Sequence, residues 1–287
     1  ASMSMRSPVS AQQMPLSIRP ASGARPFLKW VGGKRQIIDD LKRLCPPSFR
    51  RYFEPFAGGG ALFFALQPRR AVLSDANGEL IDTYTAIRDH VEGVIRALKT
   101  HVYTSEHYYD VRGLDPAGLS MVQRAARMIY LNKTGFNGLY RVNSRGKFNV
   151  PFGRHRNPVI CDAANLRKVS AALQSVDIIA DSFEQVLKRP RQGDFVYMDP
   201  PYIPLSRTAN FVAYQKRGFG MEQQEQLAQV FEALDAKGCL LMLSNADVDW
   251  MRTRYRRFHL HHVRATRNVN SRAADRGPVG ELIVTNY

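Results

Sequence analysis

The chain sets an acid, two prolines and an aromatic ring side by side, Asp199-Pro200-Pro201-Tyr202, directly after the apolar run Phe195-Val196-Tyr197-Met198. Proline lacks an N–H, fixes its own φ and restricts the residue before it. The carbonyl of Pro200 is therefore held beside the Asp199 carboxylate, giving two fixed acceptors with the ring of Tyr202 at hand. An exocyclic amino group on a flat base presents two N–H donors and matches that pair. Asp-Pro-Pro also occurs in ordinary turns, and a tyrosine there also serves packing, so the tetrapeptide takes its meaning from its setting.

A second constellation lies far upstream. Tyr52-Phe53-Glu54-Pro55-Phe56 reads as a short strand running into Ala57-Gly58-Gly59-Gly60, with a helix following through Leu66. Ala71-Val72-Leu73-Ser74-Asp75 reads as a second strand that ends on an acid, ahead of a helix from Glu79 to His90. Strand, glycine turn, helix, strand, acid is the order of one mononucleotide-binding half of an α/β fold. Glycines allow a ligand close to backbone, and the helix amino end adds partial positive charge. The turn lacks the full G-x-G-x-x-G pattern and the Walker lysine and hydroxyl. Glu54 would repel a pyrophosphate but suits a cationic ligand, and S-adenosylmethionine carries a sulfonium and an ammonium with no phosphate. Asp75 stands where such folds put an acid on ribose hydroxyls; a helix-start acid is the other reading.

The elements needed to hold these groups are legible. A helix from Gln36 to Leu44 stops at Pro46-Pro47, and later strands are expected at Val176–Ala180, Phe195–Met198, Cys239–Ser244 and His259–Ala265. A helix over Glu222–Lys237 separates two of them, as a parallel crossover requires. The last strand, Leu282–Tyr287, follows a loop without a helix and is expected antiparallel. Between Asp89 and Asn165 the βα rhythm stops. That stretch is helical over Met121–Asn132, then polar and rich in Asn, Gly and Arg, which reads as an insert over 89–165 in a catalytic domain of 27–88 and 166–287. Residues 1–26 read as a flexible tail.

Charge points to the partner. The 287 residues carry 41 Lys and Arg against 25 Asp and Glu, a net +16 with a pI near 10.1. Such an excess favours a polyanion, nucleic acid first. No apolar run approaches the ~20 residues of a membrane span. Cys45, Cys161 and Cys239 are scattered, so a reduced cytoplasmic setting is expected. His259, His261 and His262 lie in an alternating stretch without further ligands nearby, so no metal is expected.

Several segments together resemble one family. Phe27–Lys34, Glu54-Pro55-Phe56-Ala57-Gly58-Gly59-Gly60, Asp75-Ala76-Asn77 and Asp199-Pro200-Pro201-Tyr202 are similar, in this order, to the motif series of the Dam family (D12 class, group alpha) of adenine-N6 DNA methyltransferases. Asn137-Gly138-Leu139-Tyr140-Arg141 and Phe148-Asn149-Val150-Pro151-Phe152-Gly153 fit the same series. The resemblance runs from about residue 26 to the end, with one extra glycine in the turn.

It implies a Rossmann-like methyltransferase sheet, mostly parallel with an antiparallel last strand, and an inserted, largely helical target-recognition subdomain. The cofactor would be S-adenosylmethionine, leaving as S-adenosylhomocysteine, with contacts from Trp30, Lys34, Glu54, Phe56, Gly58, Asp75 and Asp199. Asp199, Pro200, Pro201 and Tyr202 would be catalytic, acting on an adenine flipped from the duplex. Lys29, Phe136, Asn137, Leu139, Arg141 and Pro151 would face DNA, with Arg141 on a guanine edge and GATC as the expected target. From its own basic residues, the loop Arg264–Arg276 is expected to lie against DNA or to be mobile without it, and a monomer is the default expectation for a compact enzyme. Methylation of RNA or of cytosine N4, and a non-catalytic DNA-binding shell, are the competing readings; the acid-first motif and the place of the insert favour adenine in DNA.

Overall fold

The computed structural model describes residues 17–205, 218–266 and 278–287; much of the Arg264–Arg276 loop and residues 1–16 of the expected tail lie outside them. The described residues form a seven-stranded sheet in the order β3-β2-β1-β4-β5-β7-β6. Its strands are β1 (Tyr52–Glu54), β2 (Ala71–Asp75), β3 (Val176–Ala180), β4 (Phe195–Met198), β5 (Leu240–Ala246), β6 (His259–Thr266) and β7 (Pro278–Thr285). The first five run parallel, and β7 is antiparallel to both β5 and β6. The antiparallel end is as read from the sequence, but β7 inserts between β5 and β6. A sequence pattern states a strand's direction after a helix-free connection more readily than its slot.

Every residue of β1 and β4 is buried, as befits strands covered on both faces and written as continuous apolar runs. Successive side chains serve opposite layers. Tyr52, Phe195 and Tyr197 pack with α1 (Ile38–Leu44), α2 (Ala61–Leu66) and α3 (Gly78–Lys99), while Phe53, Val196 and Met198 pack with α7 (Phe183–Val186) and α8 (Met221–Ala236). The helix α3 runs on past its expected end, with a break at His90 (φ −140°, ψ 40°) where the sequence reading stopped it.

Beyond that break lie α4 (Ser105–Gly113), α5 (Met121–Thr134) and α6 (Ala163–Leu173). A capping box starts α5: Gln123 N donates to Ser120 Oγ, and Ser120 N donates to Gln123 Oε1. The buried face of α5 joins the same core as α3, and Arg127, 3% exposed, crosses between them to Glu79 at 3.2 Å.

Residues 17–25 depart from the reading as tail. Ser17 exchanges hydrogen bonds with Phe49, Arg19 N donates to Gln67 O at 2.9 Å, and Arg25 N donates to Asn165 Oδ1 at 3.0 Å. Backbone ties of this kind leave no apolar period in the sequence, so nothing local announced them.

Candidate active site

Strand order explains how the two constellations meet. The chain leaves β1 toward one side of the sheet and returns in β4 on the other, so β1 and β4 are neighbours with parallel carboxyl ends. A ligand crevice opens at such a switch point. Glu54 ends β1, and Asp199 follows β4 immediately.

On the β1 side the glycine turn is closed by its own geometry. Gly58 and Gly60 have φ of +48° and +67°, and a Cβ on Gly58 would stand 2.8 Å from Trp30 Cδ1. Tyr84 Oη donates to Gly58 O at 2.9 Å. Asp75 accepts from Gly58 N at 3.1 Å and Asn77 N at 2.9 Å, so it braces the turn. Asn77, not Asp75, caps α3 through Leu80 N. Three backbone donors, from Gly58, Ala76 and Asn77, leave about one lone pair of the carboxylate for a hydroxyl. Burial raises its pKa. Phe56 packs with Phe183 and Phe219, ring centres 5.5 and 5.6 Å away, forming an apolar wall beside the turn.

On the β4 side, Lys34 is 5% exposed, and its Nζ stands 2.9 Å from Asp199 Oδ1 while donating to Gly32 O at 2.7 Å. The same ammonium lies 4.3 Å above the Tyr202 ring, and Tyr202 Oη donates to Glu281 Oε2 at 2.9 Å. Lys34 therefore links the first motif to the acid-proline one. Burial raises the Asp199 pKa to about 6, against the pull of Lys34 in the other direction. Glu54, 3% exposed and accepting from Tyr52 Oη at 2.7 Å, is pushed by burial up to about 8. Burial thus favours its neutral form near pH 7, and a cation seated beside it favours the anion.

Two side chains that the sequence reading did not single out hold the proline turn. Gln224 Nε2 donates to Pro201 O at 2.8 Å, and Asn245 Oδ1 accepts from Ile203 N at 3.0 Å. Asn245 also donates to Gln224 Oε1 at 3.1 Å, joining the two supports. Glu281, on β7, is a third. A polar residue closing an apolar strand was the one available sign for Asn245, since β5 ends two residues beyond the expected Ser244.

The remaining predicted residues gather beside Trp30. Its ring stacks on Tyr140 with centres 5.4 Å apart, and Leu139 lines a small crevice with both. Buried Asn132 stitches two segments together: it accepts from Lys29 N and donates to Lys29 O and Gly138 O. Lys29 and Asn137 are exposed, and Phe136 is 48% exposed, outside the core. Pro151 O accepts from Phe136 N at 2.9 Å. Arg141 is exposed and donates through Nε and Nη2 to Asn149 across its own hairpin, which leaves three of five N–H groups to give. Two histidines of β6 make structural contacts, His261 with Thr285 and His262 with Asp247. Among the described residues no cluster of three or more His, Cys, Asp or Glu is arranged to hold a metal, and no helix is long and apolar enough to cross a membrane.

Comparison with known proteins shows the family. Residues 30–269 match the family model of the D12 class N6 adenine-specific DNA methyltransferase. The chain is 45% identical to the type II methyltransferase M1.LlaDCHI of Lactococcus lactis subsp. cremoris, over 92% of this chain and 95% of that protein. It is 38% identical to the type II methyltransferase M.MjaIII of Methanocaldococcus jannaschii, over 92% and 99% of the two chains. It is 36% identical to the DNA adenine methylase of Escherichia coli K12, over 90% and 94%.

Proposed function

The chain belongs to the D12 class N6 adenine-specific DNA methyltransferases, and on that premise we propose that it methylates adenine N6 within GATC after turning the base out of the duplex. The observation that carries the reading is the meeting of Asp199-Pro200-Pro201-Tyr202 with the glycine turn at one switch point.

The residues fit S-adenosylmethionine. Gly58 and Gly60 let the turn seat directly on Trp30 and Tyr84, Asp75 offers a lone pair to a ribose hydroxyl, the Phe56 wall suits a base, and Glu54 sits ready to ionise beside a cation. When bound, this cofactor supplies an electrophilic methyl group. Trp30 and Gly58 would line its site, and Lys34 and Asp199 would border it.

The chain's own residues do the rest. The N6 lone pair of adenine is delocalised into the ring and attacks poorly. Hydrogen bonds from N6 to Asp199 and to the Pro200 carbonyl favour a pyramidal nitrogen whose lone pair can attack. This is positioning and electrostatic preorganisation by fixed acceptors. Ionised Asp199 is the stronger acceptor, and a pKa of about 6 favours that form at neutral pH. Tyr202, tied to Glu281, offers a fixed ring on which an extruded base stacks. Lys29, Phe136, Asn137 and Arg141 are exposed beside the crevice mouth, Leu139 and Pro151 shape the same surface, and Arg141 can fork onto guanine O6 and N7.

The test is labelled methyl transfer to duplex DNA, to RNA and to buffer alone, with N6-methyladenine then mapped in a treated plasmid. Modification is expected in duplex DNA at GATC. Label concentrated at another sequence refutes the target, and label in RNA or on cytosine refutes the substrate.

A further inference from the structure

The excess positive charge is not confined to the side of the sheet where the catalytic motif lies. At the opposite, amino edge, β2 is entered from Arg69-Arg70, β1 from Arg50-Arg51, β4 from the Lys188–Asp194 loop and β5 from Lys237. Three of these loops enclose an open cleft of about 580 Å³ lined by Arg51, Lys188, Arg189, Arg191 and Lys237. None of the lining residues is acidic, and Asp194, which ends the loop, has a side chain 2% exposed and is spent on Arg51 at 2.7 Å and on Arg191 N at 2.8 Å. Lys188 reaches only the neutral amide of Gln185, and among the described residues no acid pairs with Arg189, Arg191 or Lys237. These four side chains are exposed.

Like charges held together this way repel one another, and an anion relieves them. The cleft has no aromatic ring on which a base could stack, so it suits phosphates rather than bases. The duplex being methylated cannot supply those phosphates. From Asp194 to Asp199 the β4 strand rises about 16 Å at ~3.3 Å per residue, and a duplex with a persistence length of ~50 nm does not fold around the sheet to reach both edges.

We propose that this cleft is a second, sequence-independent DNA site that grips the phosphodiester backbone of another duplex segment while the first occupies the catalytic edge. Such a site would hold the enzyme on crowded DNA between turnovers. The proposal does not depend on which sequence is methylated.

The full chain, saturated with a short unlabelled duplex carrying the target and with S-adenosylhomocysteine, is titrated with a fluorescent duplex lacking it. The expected result is a second bound duplex whose log affinity falls against log salt. In Lys188→Ala/Arg189→Ala/Arg191→Ala/Lys237→Ala, loss of four phosphate contacts lowers the slope by about 3.6 at ~0.9 per phosphate. Second-duplex affinity falls at least ~10-fold, the loss expected for several cation–phosphate contacts. Methylation of the first duplex, assayed in parallel with S-adenosylmethionine in place of S-adenosylhomocysteine, stays within about twofold, because the four lie outside the catalytic edge. The single variants Arg189→Ala and Lys237→Ala, each lowering the slope by about 0.9, serve if the fourfold variant unfolds. A stoichiometry of one duplex, an unchanged second affinity in the variants, or equal weakening of both duplexes overturns the proposal. So does saturation by inorganic triphosphate with no binding of a second duplex, which would make the cleft a site for free phosphates.

Discussion

Lys34→Met moves the acid limb of catalysis to higher pH. The ammonium stands 2.9 Å from Asp199 Oδ1, both groups shielded from bulk water. At that separation the attraction is about 6 kcal/mol with an effective dielectric near 20, before the desolvation of both groups is subtracted. Opposite charges at such range ordinarily lower a carboxyl pKa by ~1–3 units, or ~1.4–4 kcal/mol. With Lys34 present, burial still leaves Asp199 at about 6. Removing the cation while keeping the length and apolar bulk of the side chain leaves burial unopposed, so the pKa rises to ~7–9. At pH 7 the ionised fraction then falls from about nine-tenths to between about a half and a hundredth, and activity returns as pH rises. The assay is kcat/KM for methyl transfer to a short duplex between pH 5 and pH 9.5, which reports groups of the free enzyme. A limb that stays near pH 6, or moves down, refutes the electrostatic role of Lys34. A loss equal at every pH would assign Lys34 to binding alone.

Other perturbations probe the neighbouring groups. Glu54, held at about 8 by burial, ionises when a cation is seated beside it, so S-adenosylmethionine binding at pH 7 releases close to one proton. Calorimetry in buffers of different ionisation enthalpy reads that release, and Glu54→Gln abolishes it; a wild-type value near zero would count against the cationic contact. Asn245→Ala strips Ile203 N of its acceptor and Gln224 of a partner, costing ~1–3 kcal/mol of stability and lowering kcat at least ~10-fold as the proline turn loosens. Cofactor affinity measured alongside stays within about twofold, and an unchanged kcat would show the turn to be rigid without this support. Arg141→Ala relaxes discrimination at one guanine by ~1–3 kcal/mol, read from competing duplexes with single base changes; uniform weakening on all of them would make Arg141 a phosphate contact instead.

The sequence alone set out the candidate groups and their local settings. The run Phe195–Met198 could only be a buried strand, the prolines after it fix the Asp199 turn, and Gly58–Gly60 between a strand and a helix bends where few other residues can. Such signals span a handful of residues and depend on period, turn chemistry and backbone freedom, which a linear reading contains. What lay beyond it depends on closure of the chain. The adjacency of Glu54 and Asp199 follows from β1 pairing with β4, a contact between distant segments whose order no local pattern states. The insertion of β7 between β5 and β6 is of the same kind, and it alone brings Glu281 to Tyr202. Lys34 looked like a cofactor contact but also stands on Asp199, and Gln224 and Asn245 looked like ordinary helix and strand residues. A buried polar side chain must find a partner to offset its lost hydration. Which partner it finds is decided only when the tertiary fold brings the two within 3 Å or so of each other.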